Sequence, residues 1–369
     1  MSRIILLSFL LLFVFVNSDP APHKYDAWDY VFDGFCMKNE PLCLPFSNIS
    51  FSYLWERKTK KEIINDANEY LKNSTLFNKK LYIDDSRAWY GKKLGLFANE
   101  RIASNDTLAS YKFEDLYTSI FSIDQFKHTN YYEEHKKLSS IKFGNNSGII
   151  QLALNLLYHF YHFEDSPLRA DLLLFPEKPN TPLFLLSKYE LFLLKQDEAY
   201  EHTFGLRRNF LEKYKEMNEI LNATGWTSTQ FQSFWNRSTI SLDDWTYVNF
   251  LMYTFSVVHE SADGSNIFFI PPFTKLIVKK KEDNEEVTNK AVWNFKGNES
   301  NTDDYNFTNT AAIQFSKKDE IVMGVEMETY HAWINLGYLD EKTEGCINTL
   351  VVPEKFAQSS NLPSKIEKK

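Results

Sequence analysis

Apolar positions along the chain change period twice. Over residues 55–72, Ile63, Ile64, Ala67, Tyr70 and Leu71 fall on one side of a helix. Strand-like runs follow at Leu81–Ile83 and Leu94–Ala98, punctuated by Gly91 and Gly95. From about 146 the helical period returns, and Ile149, Ile150, Ala153, Leu156, Leu157 and Phe160 mark one amphipathic helix. Ser187 with Glu190 reads as a capping box ahead of Leu191 and Leu194. Phe210, Leu211, Tyr214, Met217 and Leu221 mark a further helix, stopped near Gly225. Thr227 with Gln230 starts a short one. Asp243 or Asp244 opens the last, which carries Tyr247, Val248, Leu251, Met252 and Phe255. After 265, β-type runs return at Ile267–Ile270, Leu276–Val278, Ala311–Phe315 and Ile321–Val325. The charged stretch Lys279–Asn289 reads as a solvated hairpin end. Strands, then helices, then strands predict an α+β fold whose small sheets are split by a helical insert.

The first eighteen residues stand apart. Arg3 precedes an apolar run from Ile4 to Val16, and Val16 and Ser18 place small residues before a cleavage point ahead of Asp19. The run has 13 residues, whereas a membrane span needs about 20, so the pattern predicts a removable signal peptide. The next most apolar stretch, Ile149–Phe163, is interrupted by Gln151, Asn155, His159 and His162, so no membrane span is expected. Asn-x-Ser/Thr triplets begin at Asn48, Asn73, Asn105, Asn145, Asn222, Asn236, Asn298 and Asn306. A chain with 30 asparagines would hold roughly four by chance, so eight support a secreted or lumenal glycoprotein. No Lys-Asp-Glu-Leu-type signal ends the chain, which predicts release or storage rather than retention. The divisions expected are a signal (1–18), an aromatic and helical extension (19–79), a first β-rich part (80–145), the helical insert (146–264), a second β-rich part (265–353) and a polar tail (354–369).

Composition narrows the chemistry. A net charge of −8 lacks the clustered basic face that nucleic acid requires. Cys36 and Cys43 are close enough in sequence for a local disulfide in an oxidising compartment, and Cys346 is left over. With so few cysteines, stability must come from a large core, which 31 Phe and 20 Tyr can fill. The aromatic cluster Trp28–Phe35 is the candidate for an exposed contact surface.

Candidate catalytic groups are sparse. His159 and His162, with Glu164 and Asp165 nearby, lack a third metal ligand at a characteristic spacing, and such histidines at a helix surface carry no metal. Glu326, Glu328 and His331 form a second loose cluster with no motif behind it. Nucleophile elbows, phosphate-cradling loops and Cys/His protease signatures are missing.

Four strings share a further pattern. Leu94-Gly95-Leu96-Phe97-Ala98 with Arg101-Ile102 comes first. Leu152–Leu174, holding Ser166 and followed by Phe175-Pro176, is second. Phe269-Ile270-Pro271-Pro272 is third. The fourth runs from Lys318-Asp319-Glu320-Ile321-Val322-Met323 to Asn335-Leu336-Gly337-Tyr338. In order and separation, over about 80–350, they resemble the SET-domain protein methyltransferases of the Rubisco large-subunit lysine and actin histidine class.

That resemblance implies a SET-like fold and, in the active family, S-adenosylmethionine with transfer of its methyl group to a lysine or histidine. Such enzymes act mainly by orienting donor and acceptor. Laid on this sequence, the family's Asn-His pair falls on Ile277 and Val278, and the preceding aspartate on Thr274. The tyrosine falls on Val325, flanked by Gly324 and Glu326, and the cofactor-contacting arginine on Phe255. In the opening strand Lys93 and Leu94 replace two of three motif residues, and Gly95 survives beside Phe97. Family members continue into a second helical domain that docks the substrate, whereas this chain ends about sixteen residues past the matched core. The resemblance therefore implies a remnant groove at Gly95, Phe97, Phe255, Thr274, Ile277 and Val278, no catalytic residue, no bound cofactor and no metal. The function expected is protein binding by an inactive SET-like protein. The alternatives are an active methyltransferase of the secretory pathway and an unrelated lumenal glycoprotein.

Overall fold

The computed structural model describes residues 49–86, 94–112, 115–118, 132–143, 147–177, 198–225, 228–260, 266–276, 278–281, 291–296 and 306–325. Its first helical stretch is two helices rather than one, α1 (Tyr53–Glu56) and α2 (Lys60–Asn73). The break has a local cause. Thr59 Oγ1 accepts the Glu62 N–H, and the Glu62 carboxylate accepts the Thr59 N–H at 2.7 Å, a reciprocal cap that starts a new helix. Ile63, Ala67 and Leu71 of the expected face are buried.

The strands form small sheets. β1 (Leu81–Asp85) pairs antiparallel with β2 (Leu94–Ala98), Leu81 opposite Ala98. β3 (Thr107–Lys112) lies in the order β3-β9-β8 with β8 (Ala291–Lys296) and β9 (Asn306–Ala311). β4 (Tyr117–Thr118), β5 (Val257–Glu260) and β6 (Asn266–Ile270) make a second antiparallel sheet in the order β4-β6-β5. β7 (Val278–Lys281) pairs in parallel with β10 (Val322–Val325).

Between β4 and β5 the described elements are all helical: α3 (Tyr132–Ser139), α4 (Ser147–Tyr161), α5 (Arg169–Leu172), α6 (Glu198–Ala223), α7 (Ser228–Trp235) and α8 (Leu242–Phe255). The molecule is thus α+β. α4 and α8 are buried on nearly every side, as expected of helices lying between other layers rather than on the surface. α4 touches α8 on one side and strands β4 and β6 on another. α6 keeps an exposed face and buries Phe210, Met217 and Leu221, and the Trp245 indole of α8 donates to the Phe210 carbonyl at 2.8 Å. The aromatic residues do fill the core: Phe51 stacks on Phe160 at 4.4 Å, with Tyr247 edge-on at 5.4 Å. Among the described residues Tyr253 is the exposed large hydrophobic side chain.

Four local expectations need correction. α8 begins at Leu242, not Asp243 or Asp244, because Ser241 is its N-cap and accepts the Asp244 N–H at 3.0 Å. Leu276–Val278 is not one strand: Thr274–Leu276 is a 3-10 turn, and β7 starts only at Val278. Ala311–Phe315 is not a strand either. β9 ends at Ala311, and Phe315 makes only an isolated bridge to Ile102. Its inward positions are Phe307, Asn309 and Ala311, an alternation that the Asn and Thr residues of the strand obscure. Of the Lys279–Asn289 loop, Lys279–Lys281 belong to β7. The Ser187 capping box lies outside the described residues.

Candidate functional site

The site is built where β2, the 3-10 turn and the β7–β10 pair meet. The chain at 318–321 runs beside β2, with Ile321 N–H on Leu96 O at 2.8 Å and Ala98 N–H on Asp319 O at 2.9 Å. Glu320 bridges to Phe97, and its carboxylate accepts the Ser86 hydroxyl. That carboxylate lies against the bare face of Gly95, where an added Cβ would overlap its Oε1. Any larger residue here would displace the end of the flexible Glu320 side chain, and no positive φ is involved. β2 also touches the 3-10 turn.

The segment leading into that turn is held by a buried ionic network. Asp171, from α5, accepts the Phe273 N–H at 2.5 Å, the Tyr117 hydroxyl at 3.0 Å and the Lys275 ammonium at 2.5 Å. The Lys275 and Asp171 side chains are each 1% exposed. The Lys275 ammonium also sits 3.6 Å above the centre of the Phe175 ring. Phe273 adopts φ 64°, a left-handed conformation uncommon for a bulky residue. Its N–H is tied to Asp171, and its ring stacks on Tyr70 at 5.2 Å. Tyr111 donates to the Pro272 carbonyl at 2.7 Å. Burial lowers the Lys275 pKa to about 8 against the opposing pull of Asp171, and burial, then Asp171, raises that of Tyr117.

His159 borders the same network. It is buried rather than at a helix surface, with Nδ1 2.9 Å from Ser166 Oγ and its ring edge-on to Tyr117 at 5.3 Å. His162 lies past the end of α4, its Nε2 2.7 Å from the Phe234 carbonyl. The pair serves packing, and among the described residues no group of three or more His, Cys, Asp or Glu could hold a metal. Burial, and secondarily His162, lowers the His159 pKa from 6.5 to about 3. The folded value lies below the unfolded one, so the unfolded chain binds the extra proton between them. Stability should therefore fall by about 1.4 kcal/mol per pH unit as pH drops from 6.5 towards 3. Melting temperatures across that range should show the slope in the native chain and a much shallower one in His159→Leu.

The residues expected to line a groove are placed unevenly. Gly95 and Phe97 lie in β2, Thr274 opens the 3-10 turn, and Val278 opens β7. Val325 ends β10 opposite Lys281, three positions along the paired strands from Val278, whose partner is Val322. Phe255 is the last residue of α8, its ring 5.8 Å from Phe175, which itself carries Lys275. Ile277 lies outside the described residues, as do Cys36, Cys43, Cys346, Glu326, Glu328, His331, Asn335–Tyr338 and the Trp28–Phe35 cluster. Of the acceptor asparagines, Asn73, Asn105, Asn222, Asn236 and Asn306 are exposed; Asn48, Asn145 and Asn298 lie outside the described residues. Sequence reading missed Asp171, Lys275 and Glu320 as site residues. A signal existed for two of them: Asp171 stands directly before the apolar run Leu172–Phe175, and Lys275 stands between Phe273 and Leu276.

No protein-family model and no curated protein matches the chain. Solved structures do. The SET domain of LSMT bound to lysine and AdoHcy superposes with a TM-score of 0.56 at 14% identity, over 77% of this chain and 58% of that one. Rubisco LSMT bound to AdoMet gives 0.54 at 12% identity, over 76% and 57%. The chain thus spans less than two thirds of the length of these structures. Identity this low carries the architecture and nothing of the chemistry. In fold, the chain is similar to the SET domains of these structures.

Proposed function

We propose that this protein is a SET-fold binding protein of the secretory route that no longer holds S-adenosylmethionine. Its two SET-like parts are 80–145 and 265–353, with 146–264 as the helical insert. The observation that carries the reading is the closed face of Gly95. In the resemblance this glycine is the surviving part of the cofactor motif, and here the Glu320 carboxylate occupies the space beside it. Polar groups around the adjoining turn are spent on one another: Asp171 is taken by Phe273, Tyr117 and Lys275, and Tyr111 by Pro272. At the family's arginine position, Phe255 packs against Phe175 instead of offering a charge. These contacts support the reading that the cofactor is not held.

The energetic consequence is large. A donor that loses three or four hydrogen-bonding partners, each worth about 1–3 kcal/mol, binds several orders of magnitude more weakly. The signal-like N-terminus and the eight acceptor triplets support the secretory part of the reading. Exposure of the five described acceptor asparagines is compatible with it. The partner is another protein, met by the apolar former groove or the aromatic N-terminal segment.

Isothermal titration of the mature, secreted chain with S-adenosylmethionine should show no saturable heat, corresponding to a Kd above about 1 mM. A micromolar Kd ends the proposal. A second reading, an active methyltransferase, is favoured by the fold neighbours being described as bound to AdoMet or AdoHcy. It requires methyl transfer to a lumenal protein. Incubating the chain with radiolabelled cofactor and a lumenal extract separates the two, a labelled band supporting the enzyme.

A further inference from the structure

A cleft of about 740 Å³ separates α2 from residues 163–173, away from the closed glycine face. Its size is in the range of about 300–1,000 Å³ typical of pockets that enclose small ligands. Leu54 and Leu173 contribute apolar surface, and the rings of Tyr70 and Phe163 line it. Glu69 from α2 and Arg169 from α5 are exposed lining residues of opposite charge. Aromatic rings beside planar, charged hydrogen-bonding groups suit one ligand chemistry well. Sugars present an apolar C–H face to a ring and a rim of hydroxyls to carboxylates and guanidinium groups.

One acceptor asparagine lines the same cleft. Asn73 is the last residue of α2 and is exposed. The chain leaves the helix at Ser74 in an extended conformation, φ −70° and ψ 144°; Ser74 is half-buried, its hydroxyl accepting the Leu76 N–H at 3.1 Å, and Thr75 is exposed. Asn105, Asn222, Asn236 and Asn306 do not line this cleft.

We infer that Asn73 carries an N-linked glycan whose first sugars lie in the cleft between α2 and residues 163–173, stacked against Phe163 and Tyr70. The inference rests on the secretory reading above and adds an intramolecular ligand to it. Attachment at the rim supplies the sugar at an effective concentration of about millimolar, so even a weak contact is populated. Tyr70 also stacks on Phe273. A sugar seated on Tyr70 therefore covers the outer support of the strained turn.

The experiment uses the mature chain secreted from a eukaryotic host, with Thr75→Ala as the variant that abolishes the triplet and keeps Asn73. Glycopeptide mass spectrometry should find Asn73 occupied in the native chain. Hydroxyl-radical footprinting should oxidise Phe163 about twofold faster in Thr75→Ala, as expected for a tethered contact closed about half the time. Enzymatic removal of glycans from the folded native chain should give the same increase, which covers the case of a poorly folding variant. Asn73 unmodified while Asn105 or Asn236 is occupied overturns the inference and leaves the secretory reading standing. An occupied Asn73 with unchanged Phe163 oxidation overturns the seating of the glycan in the cleft. A secreted chain with every triplet unmodified overturns the inference and the glycoprotein reading together.

Discussion

Asp171→Ala should cost the fold about 3–5 kcal/mol, because it strands the Lys275 ammonium in the core without its counter-ion. With each side chain 1% exposed, water cannot replace the lost partner. The same substitution removes the acceptor of the Phe273 N–H, and with it the tie on a backbone held at φ 64°. The melting temperature followed by circular dichroism should fall by about 5 °C. Replacing both partners, Asp171→Leu with Lys275→Met, should recover much of the loss, since two well-packed apolar groups carry no desolvation penalty. A double mutant as unstable as the single one would show that the loss came from the Phe273 and Tyr117 bonds rather than from the ion pair.

The pair also sets an alkaline signature. Lys275 has a folded pKa of about 8, below its unfolded value of 10.5, so between these the unfolded chain binds the extra proton and stability rises with pH. Lys213, lowered by burial, adds in the same direction. Buried Tyr111 and Tyr117 act oppositely above about 10: their folded values are raised, so the unfolded chain releases protons first and stability falls. Chemical denaturation should therefore show a rise from pH 8 to about 10 and then a decline. Lys275→Met should lose most of the rise.

The second large effect is expected at Asp244. It is 1% exposed and accepts the Ser50 N–H at 2.7 Å, the Ser50 hydroxyl at 2.6 Å and the Tyr161 hydroxyl at 2.9 Å. One carboxylate thus ties the start of the described chain to α4 and α8. The Arg237 guanidinium, 5.4 Å from the centre of the Tyr161 ring, completes the cluster. Asp244→Ala leaves these donors without an acceptor, at a cost of about 1–3 kcal/mol for each that water cannot reach and roughly 3 kcal/mol in total. Hydrogen exchange at Ser50 should quicken by about a hundredfold. Asp244→Asn, which keeps one oxygen acceptor, should lose less. Equal exchange in the two variants would mean that Ser50 is held by backbone packing alone.

Much of the architecture was legible because burial leaves a period in the residues themselves. The faces of α2 and α4, and the stop of α6 near Gly225, follow from apolar spacing and a positive-φ glycine. β9 was misread because Asn and Thr occupy most of it, and its buried Asn309 breaks the apolar-in rule. The break before α2 is encoded in Thr59 and Glu62, whose reciprocal cap overrides the longer apolar stripe. At the site, the apolar character of Phe255 could be read from the residue alone, and its contact with Phe175 could not.

By itself, the sequence determined the order of strands, helices and strands, the inward faces of α2 and α4, and the apolar character of positions such as Phe255. Side-chain period and residue type are local, and they survive in one dimension. Only the tertiary structure decided that Asp171 meets Lys275 across 104 residues, Ser50 meets Asp244 across 194, and Ser86 meets Glu320 across 234. Buried charges choose partners by distance and desolvation in three dimensions, and nothing in the spacing of the chain records that choice.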